Sequence, residues 1–173
     1  MKPEQSVADE PSESVAIAPG PLRALAVASL AIAGGALVLL AIVEVWQVFT
    51  RYVLDAPAGW TEPVALLLLK TALFLAAAVG VRHDAHFRFA LLAEAAGAFW
   101  RVVLARVALL ATAALGAVFA GWGAALVLAT WAVKTPGAPF PVGLSYLPFA
   151  VGGVLFVSFA IERALALRAA RPR

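Results

Sequence analysis

Four long stretches of this chain carry almost no charge, and that limits what it can fold into. Ala24 to Val43 contains no Asp, Glu, Lys or Arg, and Val64 to Val81 contains only Lys70. Val107 to Val133 and Pro139 to Ile161 contain none. A helix that crosses the hydrocarbon of a bilayer needs about 20 mostly apolar residues. Inside lipid every backbone N–H and C=O must be satisfied by the chain itself, which leaves helices and closed barrels as the spanning structures. The stretches predict an all-α integral membrane protein with four transmembrane helices, over about 24–50, 61–81, 107–133 and 141–163. Composition agrees. The chain is 64% hydrophobic and 13% charged, against about 45–50% and about 25% in soluble domains. Its mean hydropathy is +0.95.

The charges that remain are unevenly placed. Four spans put both termini on one side of the membrane. Ten cations fall on that side: Lys2 and Arg23, then Arg82, Arg88, Arg101 and Arg106, then Arg163, Arg168, Arg171 and Arg173. Arg51 and Lys134 fall on the other side. Lys and Arg gather on cytoplasmic loops, so both termini and the middle loop are expected in the cytoplasm. The net charge of +3 and the pI of about 9.8 are therefore read as topology, and nucleic acid is not expected as a partner.

Three further segments complete the organisation. Residues 1–21 are polar and acidic, with Glu4, Asp9, Glu10 and Glu13 among four prolines. They lack the basic start and short apolar core of a signal peptide and read as a disordered tail. The membrane domain covers 22–168, and 169–173 form a basic tail. Between spans two and three, Phe87, Phe89, Leu91, Leu92, Phe99 and Trp100 mix with Arg88, Glu94 and Arg101. That mixture predicts an amphipathic helix over about 87–103, lying along the cytoplasmic interface. The stretch "TPGAPFP" at 135–141 predicts a stiff outer loop.

Charge at membrane depth is rare and usually functional. Glu44 lies seven residues before Arg51 and Lys70 nine residues after Thr61, so they are about 10 Å and about 13 Å down adjacent antiparallel helices. Similar depth makes a Glu44–Lys70 ion pair the economical arrangement. The alternatives are snorkelling or a polar group on another protein. Glu44, Gln47 and Arg51 share one helix face, which should point at protein, either within the bundle or in another subunit. Trp60-Thr61-Glu62-Pro63 reads as the start of span two. Thr61 is suited to capping, Glu62 to the positive helix end, and Pro63 to the first turn. Trp46, Trp60 and Trp131 fit an outer aromatic belt and Trp100 an inner one. Gly34-Gly35, Gly121-x-Gly123 and Gly152-Gly153 read as close helix packing.

Catalysis and metal binding find little support. The chain has no cysteine, which excludes disulfides, thiolate metal sites and Cys nucleophiles. His83, Asp84 and His86 could meet a metal, but a third clear ligand beyond the two histidines is lacking, and no metal site is expected. Neither a glycine-rich phosphate loop nor a nucleophile–base pair is visible. The expectation is a non-enzymatic protein without a cofactor.

Three segments together resemble a family. "VFTRYVLDAPAGWTEP", "FLAAAVGVRHDAHFRF" and "TPGAPFPVGLSYLPFAVGG" look like the small membrane subunit (DctQ-type) of tripartite ATP-independent periplasmic (TRAP) transporters. Arg51, Tyr52, Pro57, Trp60, Glu62, Arg82 and His86 match that family's pattern, and the resemblance runs from about Val45 to Arg163. The chain departs from it at Pro63, at Ala90 and near Lys70-Thr71. The resemblance implies a three-part secondary transporter in the inner membrane of a bacterial cell. A periplasmic binding protein would capture an organic acid and a large multi-span permease subunit would carry it inward. Sodium coupling would reside in the large subunit. This chain would be a multi-pass subunit that supports the large one, in contact with it, with the binding protein and with membrane lipid. Glu44, Gln47, Arg51, Tyr52, Trp60, Glu62, Lys70, Arg82 and His86 are then the interface or structural candidates. A rival reading is an autonomous four-helix, proton-coupled exporter that uses Glu44 as its embedded carboxylate. The acidic tail and the interfacial segment count against it. A membrane enzyme is a third class, disfavoured by the missing catalytic set.

Overall fold

A computed structural model describes residues 20–82 and 98–169. Its elements are α1 (Arg23–Tyr52), α2 (Thr61–Arg82), α3 (Ala98–Thr130), a 3-10 turn (Val142–Tyr146) and α4 (Leu147–Ala169). Among the described residues four helical segments are long and apolar enough to cross a membrane: Arg23–Tyr52, Thr61–Arg82, Arg106–Thr130 and Val142–Ala166. Most of the segment expected as an interfacial helix lies outside the described residues. Its end, from Ala98, continues without a break into α3. At 33 residues α3 is about 50 Å long, more than the roughly 30 Å of bilayer hydrocarbon, so at least one of its ends reaches the interface. The last span also differs from expectation. It opens with the 3-10 turn, and Pro148 then sits in the first turn of α4, where a missing N–H costs little. Instead of stopping near residue 163, α4 runs to Ala169.

The helices form an open row in the order α1, α2, α4, α3, each packed on the next. The buried core lies among the first three of these. Ala26 and Ala33 come from α1, Leu75, Ala78 and Val79 from α2, and Leu155 and Phe159 from α4. With Ala36, Ala65, Ala72 and Ala160 also buried, small residues dominate the buried positions, because lipid tails are as apolar as Leu and membrane helices associate by close backbone approach. The α3–α4 contact follows the same rule. A Cβ added to Gly123 would lie 2.7 Å from the Ala150 nitrogen, and one at Gly153 would meet the backbone of Gly116 and Ala120. Gly152 is similarly close to Phe74. Among the described residues Gly34, Gly35 and Gly121 face nothing within 4 Å, so of the three glycine pairs expected to pack closely, Gly123, Gly152 and Gly153 do so there. The flanking helices α1 and α3 show long apolar faces, with Val45 70% and Leu128 80% exposed.

Both short connections lie at one end of the row, the hairpin end. After α1 the chain reverses at Asp55, whose φ is 48°, a left-handed conformation that Asp tolerates better than most residues. The Ala56 N–H donates to the Thr50 carbonyl at 3.0 Å. Thr61 is the first residue of α2, and its hydroxyl donates back to the Ala58 carbonyl at 2.7 Å. The expected cap is therefore a lock on the turn that precedes the helix. Between α3 and the 3-10 turn, Lys134 and Pro141 form an antiparallel bridge, closed by Val142 N–H to Val133 C=O at 2.8 Å. The stiff loop expected from the prolines is thus a small β-hairpin. Gly137 at its tip has φ +77° and packs against Gly59 of the first connection.

Candidate functional site

Charged side chains gather in two places, one at each end of the row. At the end opposite the hairpins, Arg82 closes α2. Its Nε donates to Glu162 Oε2 at 2.8 Å and its Nη2 to Oε1 at 3.2 Å. This is the two-pronged guanidinium–carboxylate geometry that fixes both groups. The side chains are 5% and 14% exposed, so the pair is largely shielded from solvent. Glu162 Oε1 also accepts the N–H of Leu22 at 3.3 Å, and Arg163 Nη1 donates to the Arg82 carbonyl at 3.0 Å. One acid thereby joins the start of α1, the end of α2 and the end of α4. Arg82 Nη1 is buried, without a hydrogen-bond partner among the described residues. Gly20 stands against this cluster. A Cβ there would lie 2.5 Å from Glu162 Oε1 and 2.6 Å from Arg82 Nη2.

Toward the hairpin end, α1 and α2 enclose a cleft of about 190 Å³ lined by Leu40, Glu44, Gln47, Glu62, Ala65, Leu66 and Leu69. Glu44 and Glu62 are exposed and Gln47 is half-buried. The Gln47 Oε1 is buried and accepts no hydrogen bond from the described residues. Glu44 is eight residues from the end of α1 at Tyr52, about 12 Å along the axis, well below the level of Glu62 in the first turn of α2. The carboxylates of Glu44 and Glu62 and the buried Gln47 oxygen give this cleft a mainly acceptor character. Arg51 and Tyr52 lie beyond it, exposed, with the guanidinium 6.0 Å from the Tyr52 ring centroid. The polar stripe expected along α1 thus divides into an acceptor cleft (Glu44, Gln47) and an exposed end (Arg51, Tyr52).

Lys70 does not meet Glu44. Its Nζ lies 6.0 Å from the Tyr146 ring centroid and 5.9 Å from that of Phe149, and among the described residues neither Lys70 nor Glu44 forms an ion pair. The expected pairing is corrected here, and the reason is azimuth. Equal depth does not set which way a side chain leaves its helix. The direction of Lys70 is toward α4 and the 3-10 turn, where Phe74, Phe119, Phe149 and Tyr146 form an aromatic cluster with ring centroids 4.6 to 6.3 Å apart. A cation held near ring faces in a dry setting gains about 2 kcal/mol or more, which offsets part of its desolvation.

The other candidates are scattered. Trp60 is partly exposed beside the buried Thr61, and Trp46 and Trp131 are also exposed, as belt residues would be. His86, with His83 and Asp84, lies outside the described residues. The structure reveals one residue that sequence reasoning missed, Glu162. A signal for it existed. Spans two and four run in the same direction, and "IER" at 161–163 puts a lone acid at the end of span four, level with Arg82 at the end of span two.

No curated protein matches the sequence. A family described as tripartite ATP-independent periplasmic transporters, DctQ component, matches residues 40–170. The match takes in the cleft on α1 and α2, all of α3 and the Glu162 clamp, and the four apolar helices fit a multi-pass membrane component. This chain belongs to the DctQ family of TRAP transporter small permease subunits.

Proposed function

We propose that this chain supports a large permease subunit in the sodium-coupled uptake of an organic acid that a periplasmic binding protein delivers. The family match over residues 40–170 carries the reading. Sodium and substrate are handled by the large subunit, and the present chain contributes a scaffold in the bacterial inner membrane. Its termini and the segment after α2 are cytoplasmic and its two short connections periplasmic, as the ten-to-two distribution of cations favours. An open row of helices suits a scaffold, because both of its broad faces are free to be covered by lipid or by another membrane protein. The hairpin end, where Gly59 and Gly137 bring the two connections together, is the surface that a periplasmic protein would reach.

The test is reconstitution. Proteoliposomes holding the large subunit and this chain should take up organic acid when a sodium gradient and the binding protein are supplied. Liposomes with this chain alone should take up none. Full uptake by the large subunit and the binding protein without this chain would overturn the reading. The autonomous exporter rests on Glu44 alone, and proton-driven export by the isolated chain would favour it instead.

A further inference from the structure

The cleft between α1 and α2 presents a problem that the described residues leave unsolved. Glu44 is exposed about 12 Å below the end of its helix, at a level where a carboxylate facing lipid is costly. The one cation on α2 at comparable depth, Lys70, is turned to the aromatic cluster. The buried Gln47 carbonyl oxygen on the same wall lacks a donor among the described residues, and Glu62 at the mouth adds a second carboxylate. The rest of the lining is Leu40, Ala65, Leu66 and Leu69, a surface that suits an apolar helix.

We propose that this cleft seats a transmembrane helix of the large permease subunit, which inserts a lysine or arginine side chain to meet Glu44. The inference rests on the subunit reading given above and specifies the docking face and its chemistry. A cationic side chain answers each feature of the cleft at once. It supplies donors to the Glu44 carboxylate and to the Gln47 amide oxygen one turn above it, and its aliphatic stem runs along the leucines. Two other occupants fit less well. A symmetric dimer of this chain through the same face would bring Glu44 toward its own copy, acid against acid. Lipid headgroup cations stay at the surface and do not extend to the level of Glu44.

The test uses the assembled complex in native membranes. A photoreactive benzoylphenylalanine replaces Leu69, which lines the cleft and is 46% exposed. In a second variant it replaces Leu128 on α3, which is 80% exposed. Illumination should join the probe in the cleft to the large subunit with at least ten-fold higher yield than the probe on α3. Glu44→Lys should reduce the co-purified large subunit at least ten-fold and Glu44→Gln several-fold, while the melting of the isolated chain stays within a few degrees of wild type. The location is overturned if the α3 probe captures the large subunit and the cleft probe captures lipid or a second copy. The charge chemistry is overturned if Glu44→Lys co-purifies normally. If the unaltered chain fails to co-purify with any large subunit, the subunit reading itself fails, an outcome distinct from docking through another face.

Discussion

Arg82 and Glu162 are eighty residues apart in the chain and joined by two hydrogen bonds in the fold. With the Leu22 N–H also on Glu162, this acid fixes three helices at one end of the row. Removing one member leaves the other uncompensated, at a cost that reaches about 3–5 kcal/mol for a fully buried pair and is smaller for this partly buried one. Glu162→Ala should therefore lower the detergent melting temperature of the purified chain markedly. The double variant Arg82→Met with Glu162→Leu should lose less than the sum of its single changes, because no orphan charge remains. Unchanged melting of Glu162→Ala would show that the clamp contributes nothing.

The contact between the two connections depends on Gly137, where a positive φ of 77° and the neighbouring Gly59 carbonyl both oppose a side chain. A left-handed conformation costs a non-glycine residue about 1–2 kcal/mol, and the collision adds to that. Gly137→Ala should destabilise the chain by at least that amount. Gly34→Ala provides the control. Its Cβ meets nothing within 4 Å, and Ala in a helix interior is favoured over Gly by about 1 kcal/mol, so this variant should melt at or above the wild-type temperature. Equal melting of the two variants would count against the Gly59–Gly137 contact.

Topology is tested by reporter fusions. Fusions at Ala58 and Gly137 should report the periplasmic side, and fusions at Asp84 and after Arg173 the cytoplasmic side. The split of cations motivates the expectation. A cytoplasmic signal at Ala58 would reverse the orientation, and the hairpin end could not then meet a periplasmic protein.

The sequence made the four spans readable for a simple reason. Lipid demands long uncharged stretches, and charge marks where they stop. That rule hid Glu162, because the uncharged stretch ends at Ile161 and the acid then reads as the boundary of span four near residue 163, when α4 in fact continues past it to Ala169. The glycine pairs show a different limit. Gly34-Gly35 and Gly152-Gly153 are the same dipeptide, but α1 flanks the row while α4 lies between two helices, and only the second pair has neighbours to admit. Helix order in the membrane is not written in hydropathy, so neither was this distinction. Of the candidate site, the acids and Gln47 on α1 and α2 were readable as unusual polar groups. Their convergence on one cleft, and the departure of Lys70 from it, needed the helix rotations.

The partners of Lys70 can be measured by double-mutant cycles on detergent melting. The structure places its ammonium near Tyr146 and Phe149 and away from Glu44. Lys70→Met combined with Phe149→Leu should therefore show a coupling of about 0.5 kcal/mol or more, rising toward about 2 kcal/mol for a desolvated cation on a ring face. Lys70→Met combined with Glu44→Gln should be additive within about 0.3–0.5 kcal/mol, as separated sites are. The Phe149 cycle is informative whichever way Lys70→Met shifts stability alone, because removing the charge also removes its desolvation cost. Coupling to Glu44 that exceeds coupling to Phe149 would mean that the lysine crosses to the α1 cleft. It would then be an internal counter-ion to Glu44, and the case for a cation from the large subunit would fall with it.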